Sequence, residues 1–119
     1  MDIASKLITV DQALAKINSG DSIFTGLGCA EAREFFMHLH TIADRVQNVT
    51  VTNCLSMCDA PYINPEYKES FKVDGWFYSP SLRKAHKNGN IAFIPNHLHL
   101  AGVKRLHHVK PTFYVGACT

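Results

Sequence analysis

Apolar residues recur at helical spacing near the start of the chain, at Val10, Ala13, Leu14 and Ile17, and predict a first helix. Thr9 and Gln12 stand where a capping box needs them, and Gly20 supplies the stop. Residues 21–25 are short, partly β-branched and followed by Gly26, which reads as the first core strand. A second apolar stripe, Phe35, Leu39, Ile42 and Val46, widened by Phe36 and Ala43, predicts a helix from about Glu31. Residues 48–52 form the next strand pattern, with Leu55, Ser56 and Met57 as the loop beyond it. Asn64-Pro65 and Ser79-Pro80 are cap-plus-proline pairs. The first opens a short helix through Glu69, and the second a helix that ends at Asn88-Gly89. Residues 73–78 read as a strand between them, residues 91–94 as a buried strand bounded by Pro95, and residues 97–106 as a helix. Pro111 precedes the last strand.

Strands alternating with helices imply an α/β fold, a mostly parallel sheet with helices on both faces. No repeat, low-complexity tract or linker interrupts the 119 residues, so one domain is expected. The end of the chain, from Tyr114 through Gly116 and Cys118 to Thr119, reads as a strand running into a loop. Such loops carry the binding residues of α/β proteins. The chain is therefore expected to be the first few β/α units of a longer enzyme.

Composition narrows the class. Hydrophobic residues make up 46% of the chain, enough for a real core. A formal charge of +2 gives no bulk attraction to nucleic acid or an anionic membrane, and no Lys/Arg run interleaves with aromatics. Neither a membrane-spanning stretch nor a basic-then-apolar leader is visible, so a cytoplasmic protein is expected. The four cysteines, Cys29, Cys54, Cys58 and Cys118, read as reduced thiols. Cys54-x-x-x-Cys58 lacks the second ligand pair that structural zinc needs. Seven histidines include His97-x-His99 and His38-x-His40, but positions two apart on a helix face different ways, so neither pair chelates a metal from there. No metal site is expected.

Three predicted strand ends offer polar groups toward one rim of a parallel sheet. They are the Gly26-Leu27-Gly28 turn, the stretch from Asn53 to Ser56, and the stretch from Asn96 to His99. The glycine turn has two readings: a cradle in which backbone amides approach an anion, or a tight turn with no ligand. As a dinucleotide fingerprint it fails, because Glu31 holds the third glycine position and no acidic residue ends the second strand. Asn53 and Ser56 likewise read either as ligand contacts or as turn residues bonding their own backbone. No serine sits in a G-x-S-x-G elbow, which removes a hydrolytic triad.

An ordered set of segments resembles the N-terminal part of the acetyl-CoA hydrolase/transferase family, which includes 4-hydroxybutyrate, butyrate and succinate:acetate CoA-transferases. It comprises Lys6-Leu7-Ile8-Thr9-Val10-Asp11-Gln12-Ala13, Ile17-Asn18-Ser19-Gly20-Asp21 and Gly26-Leu27-Gly28. Pro61-Tyr62, Pro65-Glu66, Phe71 and Trp76-Phe77-Tyr78 follow, then Arg83-Lys84-Ala85, Gly89 and Ile91-Ala92-Phe93-Ile94-Pro95. The likeness runs over nearly the whole chain, and its order carries the weight rather than any one motif. It implies a three-layer CoA-transferase architecture, here incomplete, with residues 1–119 as the N-terminal portion and the catalytic half absent. It also implies a chemistry: a glutamate attacks an acyl-CoA thioester, and CoA moves between carboxylates through a glutamyl thioester.

In the family that glutamate lies in the second half. The glutamates here, Glu31, Glu34, Glu66 and Glu69, do not align with it, so no catalytic residue is expected in this chain. Glu34 and Glu69 read as exposed helix positions and Glu66 as the acid of a helix start. Gly26, Gly28, Asn53, Ser56 and Asn96 are the candidate substrate or CoA-binding residues, and the resemblance implies that the Gly26–Gly28 loop and the loop around Ser56 match one wall of the family's acyl site. The expected partners are acyl-CoA as a substrate rather than a bound cofactor, a small carboxylate, and further copies of the chain. The alternative is a non-catalytic truncated homologue that binds CoA or serves assembly; a generic Rossmann-like nucleotide binder stands third.

Overall fold

A computed structural model describes residues 2–118, except for the side chains of Arg105 and Leu106; Thr119, the last residue of the expected terminal loop, lies outside them. Thr9 caps α1 (Val10–Leu14) with both arms of the capping box, Gln12 N to Thr9 Oγ1 at 3.2 Å and Thr9 N to Gln12 Oε1 at 2.9 Å. Ile17 is buried but lies past the helix. The Arg45 guanidinium donates to the carbonyls of Leu14 at 3.0 Å and Ile17 at 2.8 Å, closing the helix end from elsewhere in the chain.

β1 (Ser22–Thr25) leads through a 3₁₀ turn, Gly28–Ala30, to α2 (Arg33–His38). The expected helix from Glu31 therefore starts two residues late, and it tightens into a 3₁₀ turn over Leu39–Ile42. β2 (Val49–Cys54) is longer than expected and takes Asn53 into the strand. Two 3₁₀ turns, Pro61–Ile63 and Pro65–Tyr67, replace the short helix before β3 (Phe71–Phe77). Ser79 caps α3 (Pro80–Ala85), and a turn over His86–Asn88 ends at Gly89 with φ +86°. β4 (Ile91–Phe93), α4 (Leu98–His108) and β5 (Phe113–Val115) complete the order. Because α4 begins at Leu98, His97 stands outside the helix. Its ring comes to 5.7 Å from that of His99, where a shared helix would have parted them.

All five strands are parallel, in the order β4-β3-β2-β1-β5. Ile23, Val49, Val51, Phe71, Val73 and Ile91 point to one face and meet Leu14, Phe35, Phe36, Leu39, Tyr62 and Leu82 in a single core. Steps from β1 to β4 all run one way across the sheet, so right-handed crossovers put α2 and α3 on that face. The step from β4 to β5 reverses direction and sends α4 to the other face, where Ala101 is buried outside the main core. The fold is thus an α/β three-layer arrangement. Its reversal point lies between β1 and β5, where open α/β sheets bind ligands. No helix among the described residues is long and apolar enough to cross a membrane.

Candidate functional site

At the carboxyl end of β1 the chain makes a turn that only glycine permits. A Cβ on Gly26 would stand 1.9 Å from the carbonyl oxygen of Ala30, and Gly28 has φ +53°. The next residue after the turn, Glu31, pairs as an antiparallel bridge with Gly116 just past β5, and Ala117 N donates to Ala30 O at 2.7 Å. The turn is thereby pinned at the reversal point, and the Glu31 side chain is directed inward.

Glu31 is only 7% exposed. Its Oε1 accepts from Ser56 Oγ at 2.8 Å and, at longer range, from Asn53 Nδ2 at 3.5 Å; its Oε2 accepts from the Met57 amide at 2.9 Å. The register between β2 and β3 shifts after Asn53, with Trp76 as the extra residue on β3, and just past β2 Leu55 takes φ +62°, a left-handed conformation costly for a side chain of its size. That left-handed residue turns the chain so that Ser56 and the Met57 amide reach the Glu31 carboxylate. Glu31 therefore clasps the first two loops of the rim together.

Cys58 and Tyr62 pack beneath the clasp. Burial pushes the Cys58 thiol up to about 11, with the Glu31 charge and a hydrogen bond to Glu31 acting the same way and Ser56 and Arg33 opposing them. Burial, then the charges of Glu31 and Cys58, push the Tyr62 phenol well above its usual value. A neutral thiol serves as a donor to a carboxylate, not as a nucleophile. These raised values carry a sign for stability. A group whose folded value exceeds its ordinary one stabilises fully below the ordinary value and is lost as pH rises through the folded one. For Cys58 the window runs from 9.0 to about 11. Stability is expected to fall across it, with Cys54 and Tyr62 adding to the same fall. Chemical denaturation at successive pH values should show a shallower fall in Cys58→Ala, and equal slopes would contradict the assignment.

The expected site residues divide into two groups. Gly26, Gly28, Asn53 and Ser56 are brought together at the ends of β1 and β2. Asn96 follows β4 and lies two strands from β2, on the order of 10 Å away by strand spacing. Asn53 Nδ2 reaches Glu31, whereas Ser56 Oγ lies within hydrogen-bond distance of both Glu31 Oε1 and, at 3.1 Å, the Cys58 carbonyl of its own loop; Asn53 Oδ1 remains buried with no partner. The sequence reading missed Glu31, Cys58 and Tyr62. For Glu31 the one local signal is an acid directly after a glycine turn at a strand end. Around the clasp, Leu27, Leu55 and Met57 are exposed at 52%, 40% and 66%, an apolar lip on a polar seat. Among the described residues, no three His, Cys, Asp or Glu side chains gather to hold a metal ion.

A family model described as the acetyl-CoA hydrolase/transferase N-terminal domain matches residues 2–108. RipA from Yersinia pestis, a solved structure, superposes with a TM-score of 0.72 at 21% identity, over 89% of this chain and 28% of RipA. A glutamate-to-valine variant of RipA superposes at 0.73 and 22% identity, over 89% of this chain and 27% of that one. At such identities the likeness is one of fold, and this chain spans little more than a quarter of the solved chains. No curated protein matches the sequence.

Proposed function

This chain belongs to the acetyl-CoA hydrolase/transferase family through the N-terminal domain of that family, and on that premise we propose that it forms one wall of a CoA-transferase site. In this reading CoA passes between an acyl-CoA and a small carboxylate of the acetate, butyrate or 4-hydroxybutyrate class. The attacking glutamate is supplied from outside residues 1–119. The protein works in the cytoplasm, as an assembly of more than one copy.

The observation that carries this reading is the state of Glu31. It is the glutamate nearest the rim crevice, and its carboxylate is buried and occupied by three donors. A carboxylate so held is poorly placed to attack a thioester, since attack would strip those bonds from buried partners. Glu34, Glu66 and Glu69 are exposed. What Glu31 does is hold the Gly26–Gly28 turn and the Asn53–Ser56 loop as one preformed surface. The lip of Leu27, Leu55 and Met57 suits a short acyl chain, and rigid loops position it without reorganisation at the moment of reaction.

Exchange of labelled acetate into acetyl-CoA tests this. The chain alone should show none, and adding a C-terminal CoA-transferase domain that carries the glutamate should restore it. Brisk exchange by the chain alone would overturn the assignment of the nucleophile, and no exchange from the completed pair would overturn the function.

A further inference from the structure

A second concave feature lies on the same rim, at the carboxyl ends of β3 and β4. It is a cleft of about 590 Å³ lined by Phe77, Tyr78, Arg83, His86 and Phe93, within the size range of ligand pockets. Tyr78 forms its floor. Its ring folds back over β3 because residue 75 is glycine; a Cβ there would stand 2.6 Å from the ring. The ring lies edge-on to Phe93 at 5.3 Å between centroids, and its hydroxyl shares a 2.9 Å hydrogen bond with His86 Nδ1. Phe77 and Phe93 remain 45% and 51% exposed. Aromatic faces left open beside a cation suit a neutral planar ring joined to a phosphate, the ring stacking on the faces and the phosphate meeting the cation. The segment behind the cleft, residues 79–90, bears Arg83, Lys84 and Lys87 and no acid. Burial and then the charge of Asp74 on β3 push the Tyr78 phenol above its usual value.

We propose that this cleft seats the nucleotide end of CoA, with adenine against Phe77 and Phe93 and a phosphate at Arg83. The proposal rests on the CoA reading above. It follows from position as well as chemistry, because the cleft lies two to three strands from the Glu31 clasp along one rim. At a strand spacing of about 4.8 Å this separation is within the reach of a pantetheine arm. The acyl end would then lie at the β1–β2 loops and the nucleotide at β3–β4.

Calorimetric titration of the chain with adenosine 3′,5′-bisphosphate is the test, with CoA as competitor. Phe93→Leu and Arg83→Gln alter exposed side chains, so thermal melts should confirm that both variants stay folded. Saturable binding is expected, displaced by CoA and weakened about tenfold or more in each variant, as loss of a stacking face or a charged contact implies. Absence of binding, binding that CoA does not displace, or equal affinity in the parent and both variants would overturn the site. Failure here while the completed enzyme exchanges thioesters removes the nucleotide seat alone. Binding without exchange removes the transferase reading and keeps the seat as a nucleotide site.

Discussion

Glu31→Ala is expected to destabilise the fold by about 3 kcal/mol, because it leaves the Met57 and Asn53 amides without their acceptor and takes from Ser56 the shorter of its two contacts, the other being the Cys58 carbonyl. Each orphaned group costs roughly 1–3 kcal/mol, and partial water entry at the rim keeps the total below the sum. Glu31→Gln preserves the shape but places an amide where one oxygen stood. At least one donor then faces another donor, so its loss should be smaller, about 1–2 kcal/mol. Urea denaturation of the three proteins gives the order directly. An Ala variant within about 0.5 kcal/mol of the parent, the usual spread for a surface change, would show that the clasp does not hold the rim together.

Gly26→Ala should be nearly as damaging, for a different reason. The added methyl would have to occupy space 1.9 Å from the Ala30 oxygen and 2.5 Å from its carbonyl carbon. Those are backbone atoms of the 3₁₀ turn, which Glu31 and Gly116 pin from the other side, so no flexible side chain can yield. A cost of about 3 kcal/mol, the upper end for overpacking, is expected. Gly28→Ala meets no atom within 4 Å and suffers only its left-handed φ, about 1–2 kcal/mol. The ranking is the test: a Gly28 variant less stable than the Gly26 variant would mean that backbone handedness, not close packing, dictates the glycine turn.

Much of the fold was legible because its punctuation is local. Thr9 with Gln12, Ser79 with Pro80, and Gly89 act within one turn of themselves, and each starts or stops an element where the pattern predicted. Lengths were less legible. The stripe from Phe35 to Val46 satisfies a continuous helix, yet the chain leaves α-geometry at Leu39, where Thr41 Oγ1 bonds back to His38 O. Asn53 looked like a turn residue and lies within β2, because strand pairing with β3 carries past the polar side chain.

The site was legible as a place and not as a mechanism. Alternation of strands and helices was enough to put Gly26, Gly28, Asn53 and Ser56 on one rim. That Glu31 turns inward to join them depends on Gly116 pairing with its backbone and on the left-handed Leu55. Those partners lie 85 and 24 residues away in sequence (116 − 31 and 55 − 31), beyond any local pattern. From the sequence Glu31 read as the start of a helix and as the residue that breaks a dinucleotide fingerprint; in the fold it is the residue around which the first two loops close.

The claim on which the rest depends is that this chain shapes the acyl site without supplying its nucleophile. Intact-mass spectrometry after incubation with acetyl-CoA tests that most directly, with the chain alone and with a C-terminal CoA-transferase domain added. The account predicts an unchanged mass for this chain in both samples and a CoA thioester on the added domain. A CoA adduct on this chain that maps to Glu31 would contradict it.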